Sequence, residues 1–246
     1  MKFIEDIFSS RSKKDGSFLY NLYEVLGFKV KNVSLYKSVF THRSMNLKDK
    51  FGNDINYERL EFLGDALLDS IISTHLFKQS PQGDEGYLTK MRAKAVSRNN
   101  LNKIGKSFKL LEFLESQVKK EHFSDNIYGN LLEALIAAIY IDQGYKKCEK
   151  FVAEKIIIPF IDIEELENKV ISYKSYMIEW CQKNKFNYDI KECIDTGLKE
   201  NGQKYFAMSF VLNGQIMAKA RETSKKKAEE KVCRRAYYAL QDKIID

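Results

Sequence analysis

The hydrophobic positions of this chain change their spacing near residue 162. Before that point they recur three and four apart, as on helices. Phe18, Leu19, Leu22, Val25 and Leu26 predict a helix from Ser17 that Gly27 stops, and a second covers residues 34–40. The longest periodic stretch spans 56–77 and is closed by Pro81 and Gly83. Helices are expected at 88–94, 98–104, 129–141 and 146–157, with polar loops at 46–55 and 115–127. Past residue 170 a helix at 175–183 turns Tyr176, Met177 and Trp180 inward. Strand-like runs follow at 186–194, 204–212 and 215–220, with Asn213-Gly214 as a tight hairpin signal. A last helix starts near Thr223-Ser224 and ends about Leu240. The pattern predicts an all-α domain followed by a small α+β domain of order α-β-β-β-α. Its boundaries are a flexible polar arm at 1–16, a helical domain at 17–161, an acidic linker at 162–170 and the α+β domain at 171–241.

The helix at 56–77 contains a conflict. At about 100° per residue, Glu58, Glu61 and Asp65 share one stripe, which continues as Leu68 and Ile72. Leu60, Leu63, Leu67 and Ile71 occupy the opposite side, and Phe62 with Ala66 the flank. A helix apolar nearly all round belongs in an interior. Carboxylates there are costly unless protonated, paired or bound to a cation. The helix at 129–141 is equally apolar and places Asn130 and Glu133 on one face. Two readings stand. The acids pair with Arg43, Arg59 or Arg92, or oxygen donors from Glu61, Asp65, Asn130 and Glu133 hold Mg²⁺ or Mn²⁺. Asp69 falls at the edge of the stripe and is expected in solvent. His42 is a cap or a hydrogen-bonding core residue, with a phosphate contact as the alternative. Lys90, Arg92 and Lys94 form a solvated helix face, with a phosphate-facing role as the minority reading.

A formal charge of +7 favours an anionic partner without naming one. Lys225, Lys226 and Lys227 sharpen the point, because lysines at a helix start oppose its dipole unless an anion docks there. Four scattered cysteines form no CxxC pair, and three dispersed histidines exclude a zinc site of the usual kind. Neither a signal peptide nor a membrane helix is expected, which makes a cytoplasmic protein the default.

Glu58-Arg59-Leu60-Glu61-Phe62-Leu63-Gly64-Asp65 resembles the signature of the ribonuclease III endonucleases almost letter for letter. Thr41-His42-Arg43-Ser44, Asp84-Glu85-Gly86 with Met91-Arg92-Ala93, and Leu132-Glu133-Ala134-Leu135-Ile136 follow in that family's order. The tail, with Ser224-Lys225-Lys226-Lys227-Ala228-Glu229, resembles its double-stranded-RNA-binding domain. The resemblance implies a homodimeric, Mg²⁺-dependent endonuclease that cuts both strands of double-stranded RNA. It would leave 5′-phosphate and 3′-hydroxyl ends with short 3′ overhangs, in the processing of ribosomal and messenger RNA. Asp65 and Glu133 would be catalytic; Glu61, Asp65, Asn130 and Glu133 would hold the metal; Glu58 and Glu85 would be supporting acids. Phe62 would plug into the partner subunit. Glu179 would face 2′-hydroxyls and Lys225, Lys226 and Lys227 would straddle phosphates.

Three departures from the pattern matter. Asn130 stands where many members carry an aspartate, which removes one negative charge. Asn201-Gly202-Gln203 replaces a Gly-Pro-x-His turn, and Ile178 sits where a polar residue is frequent. The rival reading is a catalytically weakened double-stranded-RNA-binding protein, supported by Asn130 alone.

Overall fold

A computed structural model describes residues 13–168, 170, 172–193 and 204–244. It divides at Asn168/Lys169 into two compact units.

The first unit is helical. α1 spans Lys13–Leu26, α2 Val33–Val39, α3 Glu58–Gln79, α4 Glu85–Ala95, α5 Arg98–Ser107 and α6 Asn126–Gln143. α7, Tyr145–Val152, continues through a π turn at Ala153–Ile157, and α8 spans Ile163–Asn168. α6 is the axle of this unit: Ile127, Leu131, Leu132 and every residue from Ala134 to Ile139 are buried. Only a helix surrounded by others can carry so continuous an apolar run. Leu68, Ile71, Ile72 and Leu76 of α3 pack into the same core with Tyr36, Phe40, Met91 and Ile104.

Two ends depart from expectation. α1 begins at Lys13, so the last part of the expected arm is helix; residues 1–12 lie outside the described residues. The expected linker is largely α8, whose Leu166 is buried in the core of the first unit. Its acidic composition hid Ile163 and Leu166, which pack the helix on the core. α3 also differs, since it is not covered all round: Phe62, Ala66 and Phe77 lie on an open face.

In the second unit, α9 (Tyr173–Lys183) precedes β1 (Tyr188–Glu192), β2 (Phe206–Leu212), β3 (Gln215–Glu222) and α10 (Lys225–Ala239). The sheet is antiparallel in the order β1-β2-β3, with Ile190 opposite Phe210 and Met208 opposite Ala220. Asn213 and Gly214 both have positive φ, 49° and 83°, as a two-residue hairpin of type I′ requires. Met177, Cys181, Met208, Phe210, Val232, Cys233 and Ala236 form the core between sheet and helices.

Candidate active site

The site begins with a missing side chain. A Cβ built on Gly64 would stand 1.7 Å from the backbone oxygen of Glu133. Glycine alone lets α3 approach α6 this closely. Glu61 and Asp65, one turn before Gly64 and directly after it, are thereby set beside Asn130 and Glu133. Together with Glu58 these four line an open cavity of about 810 Å³, whose wall also includes His42, Tyr57 and Arg98. Glu85 is not among them. It lies in a separate hollow with Phe77 and Arg92, where its carboxylate accepts from Thr89 Oγ1 at 3.0 Å.

Electrostatics in the cavity are unfavourable to the acids. Burial, then Asp65 and Glu61, push the Glu133 carboxyl up to about 8, against the pull of Arg98. Burial likewise raises Glu61, with Glu58 and Asp65 adding to it and Arg98 opposing. Among the described residues Glu61, Asp65 and Glu133 form no ion pair. The pairing alternative holds only at the margins, where Arg43 meets Glu58 at 3.5 Å and Arg92 meets Asp69 at 4.0 Å. Both pairs are substantially exposed, so each contributes less than about 1 kcal/mol. Asp69 is no solvated edge: it is half-buried, and its Oδ1 is sealed from solvent without a hydrogen-bond partner. Burial raises its carboxyl first, with Arg92 opposing and Asp65 assisting.

Three residues of the wall carried no signal in the sequence. Arg98 supplies positive charge to Glu61 and Glu133 from the first position of α5. Tyr57 is buried beside Asn130, and burial, then Glu61 and Glu58, raise its hydroxyl against the pull of the Asn130 amide. Asn102, nearly buried, accepts the Gly129 N–H at 3.0 Å and fixes the start of α6 to α5. Their periodicity marked them only as helix residues, and which helix ends meet is a tertiary fact.

The description "Ribonuclease-III-like" matches residues 32–160, and "Double-stranded RNA binding motif" matches residues 173–240. A protein named Ribonuclease 3 from Zunongwangia profunda is 54% identical over 99% of this chain and 100% of its own. The chain belongs to the ribonuclease III family. It is therefore an endoribonuclease of double-stranded RNA. Ribonuclease 3 from Flavobacterium psychrophilum is 55% identical, over 99% of each chain. In fold, the first unit is similar to the nuclease domain of ribonuclease III from Campylobacter jejuni. That match has a TM-score of 0.52 and 32% identity, covering 59% of this chain and 97% of that one. A second structure of that domain, described for flexibility in a region involved in dimer formation, matches with the same TM-score.

Ribonucleases III use a divalent metal, and the donor set fits one. The cavity offers carboxylate and amide oxygens, the ligands of a hard cation. Burial and neighbouring acids raise the Glu133 carboxyl, and a cation held among them would favour its charged form. Among the described residues no three acids, imidazoles or thiolates stand close enough to hold an ion alone. Such a half-shell suits an ion that keeps several waters and shares phosphate oxygens with its substrate.

In the RNA-binding motif of this ribonuclease III, Ser224 caps α10 by accepting the Lys227 N–H at 3.3 Å. Lys225, Lys226 and Lys227 stand exposed on that first turn, and Lys225 reaches Glu192 at 3.8 Å. Glu179 is exposed on α9, and Ile178 beside it is half-buried. Asn201-Gly202-Gln203 lies outside the described residues. No described helix is long and apolar enough to cross a membrane. Lys94, expected on a solvated face, is instead 8% exposed and donates to the carbonyls of Leu166 and Glu167 at 2.7 and 2.9 Å.

Proposed function

We propose that this ribonuclease III is Mg²⁺-dependent and cuts double-stranded RNA from the cavity between α3 and α6. In this reading Glu61, Asp65, Asn130 and Glu133 hold the metal, and Mn²⁺ substitutes for Mg²⁺. When bound, the ion supplies Lewis-acid stabilisation at phosphate and a water of lowered pKa. The chain's own part is to place those oxygens and to offset their repulsion with Arg98. The observation that carries the reading is the approach at Gly64, which gathers Glu61, Asp65 and Glu133 from two helices with no ion pair to any of them among the described residues. Hydrolysis would leave 5′-phosphate and 3′-hydroxyl ends, with short 3′ overhangs. Glu58 and Glu85 act as supporting acids.

The chain works as a cytoplasmic homodimer. Support comes from Phe62, which is 81% exposed on α3 beside the acids and costs solvation there unless a partner covers it. A dimer carries two acid cavities, one for each strand of a duplex. Lys225, Lys226 and Lys227 grip phosphates and Glu179 meets the minor groove. The test is to incubate the full chain with long duplex RNA, with and without Mg²⁺. Short fragments should form only with the ion. Asp65→Asn and Glu133→Gln should stop cutting while duplex binding persists; surviving cleavage in either variant would show the site to be elsewhere.

A further inference from the structure

Thr41-His42-Arg43-Ser44 is left unused by the reading above, yet His42 lines the acid cavity. Its mount is rigid. The His42 N–H donates to Glu115 O at 3.0 Å, and the Glu115 N–H returns to Phe40 O at 2.8 Å. One residue earlier, Thr41 O accepts the Tyr57 N–H at 3.2 Å. The imidazole is held edge-on by Phe123, 5.0 Å between ring centres, with Tyr57 at 6.1 Å on another side.

The hydrogen bonds of the ring decide its tautomer. Nδ1 accepts the Ser44 backbone N–H at 3.2 Å, capping the 3₁₀ turn Arg43–Met45, and meets Ser44 Oγ at 2.9 Å. Ser44 Oγ is itself fixed, since it accepts the Gln117 N–H at 3.1 Å and touches Ser116 Oγ at 3.1 Å. A nitrogen that accepts from a backbone N–H carries no proton, so in the neutral ring the proton sits on Nε2. Among the described residues Nε2 has no partner, and it is not one of the polar atoms sealed from solvent. The ring therefore offers one neutral, oriented donor at a cavity otherwise dominated by carboxylates.

We infer that His42 Nε2–H donates a hydrogen bond to a non-bridging phosphate oxygen of the RNA strand lying in the acid cavity, positioning the backbone for cleavage. The inference rests on the reading of that cavity given above. A phosphate diester accepts and never donates, so the acids offer it no hydrogen bond, and beside the metal they would hold a fixed N–H donor is needed to orient it. A neutral donor does so without ion-pairing to those same acids.

Two substitutions separate the two nitrogens. In His42→Asn the amide oxygen can accept the Ser44 N–H, so the cap survives and the Nε2 donor is lost. In His42→Gln an N–H group reaches the Nε2 position, and the cap is lost instead. With full-chain protein, duplex RNA and Mg²⁺, His42→Asn should melt like wild type yet lose on the order of 10-fold in kcat/KM. His42→Gln should melt lower while retaining most kcat/KM per folded molecule. Duplexes with single methylphosphonate linkages near the cut, and a second set with single 2′-deoxy sugars, then identify the contacted group. One methylphosphonate should slow wild type about as much as His42→Asn does, and should add nothing in that variant. The inference is overturned by wild-type kcat/KM in His42→Asn, or by coupling to a 2′-deoxy position instead. If wild type itself fails to cut duplex RNA with any divalent ion, it is the underlying reading of the cavity that fails.

Discussion

Gly64 lies against the backbone oxygen of Glu133, and this contact sets the distance between the two acid-bearing helices. A methyl group at 1.7 Å from that oxygen cannot be absorbed by side-chain motion, because the obstacle is backbone. Gly64→Ala must therefore separate α3 from α6. The expected cost is on the order of 3 kcal/mol. Protein that remains folded should cut duplex RNA poorly even in excess Mg²⁺, since its acids no longer face one cavity. Thermal melting and cleavage rates check both halves; a stable, active Gly64→Ala protein would detach the helix crossing from catalysis.

On the proposed reading Asn130 offers the ion a neutral oxygen where a charged one would bind it more strongly. Asn130→Asp should reach half-maximal cleavage at a Mg²⁺ concentration lower by roughly 10-fold, about 1.4 kcal/mol of binding. A titration of initial rates against Mg²⁺ measures it. Coincident curves for the two proteins would place Asn130 outside the metal's reach.

Glu133 gives a stability test that needs no RNA. Its carboxyl titrates at about 8 in the folded protein and at 4.5 in an ordinary chain. Between those values the native state keeps a proton that the unfolded state has released, so stability falls as pH rises through this window. Glu133→Gln removes the effect. In EDTA the variant and wild type should match below about pH 4.5 after allowing for a constant offset. The variant should gain on wild type by roughly 1–3 kcal/mol as pH approaches 8, the figure being reduced for partial solvent screening. Mg²⁺ should restore wild type and leave the variant unchanged. Parallel melting curves across the range would count against a strained acid.

How far the sequence foretold these features depends on the distance over which each is determined. Helical period and Gly stops located α3 and α6 to within a few residues, and Asn213-Gly214 located the hairpin, because those signals are local. The conflict between apolar faces and acids marked the cavity through Glu61 and Glu133, which are partly buried. Glu58 and Asp65, expected on an interior stripe, are instead exposed because that end of α3 is open. Arg98 and Tyr57 were invisible as site residues because only the packing of α5 and of the chain before α3 brings them there. Lys94 was misjudged for the same reason. A lysine among Lys90 and Arg92 looks solvated until a second helix lies over it, and Ile163 and Leu166 were the apolar clues that one would.

That second helix supplies the last test. Lys94 donates to the final carbonyls of α8, whose unsatisfied C-terminal groups need such a partner. The Tyr87 hydroxyl adds a bond to Glu167 Oε1 at 2.6 Å. Both tie α8 to α4, within the helical unit and immediately before the chain passes to the RNA-binding motif. Lys94→Ala removes a buried donor and leaves two carbonyls without it, a loss of about 1–3 kcal/mol. Because α8 is only two turns long, the loss should be felt first as local opening. Amide exchange across residues 163–168 should accelerate on the order of 10-fold or more, while α6 keeps the protection of the core. Equal exchange in the two proteins would mean that Ile163, Leu166 and the Tyr87 bond hold α8 in place without Lys94.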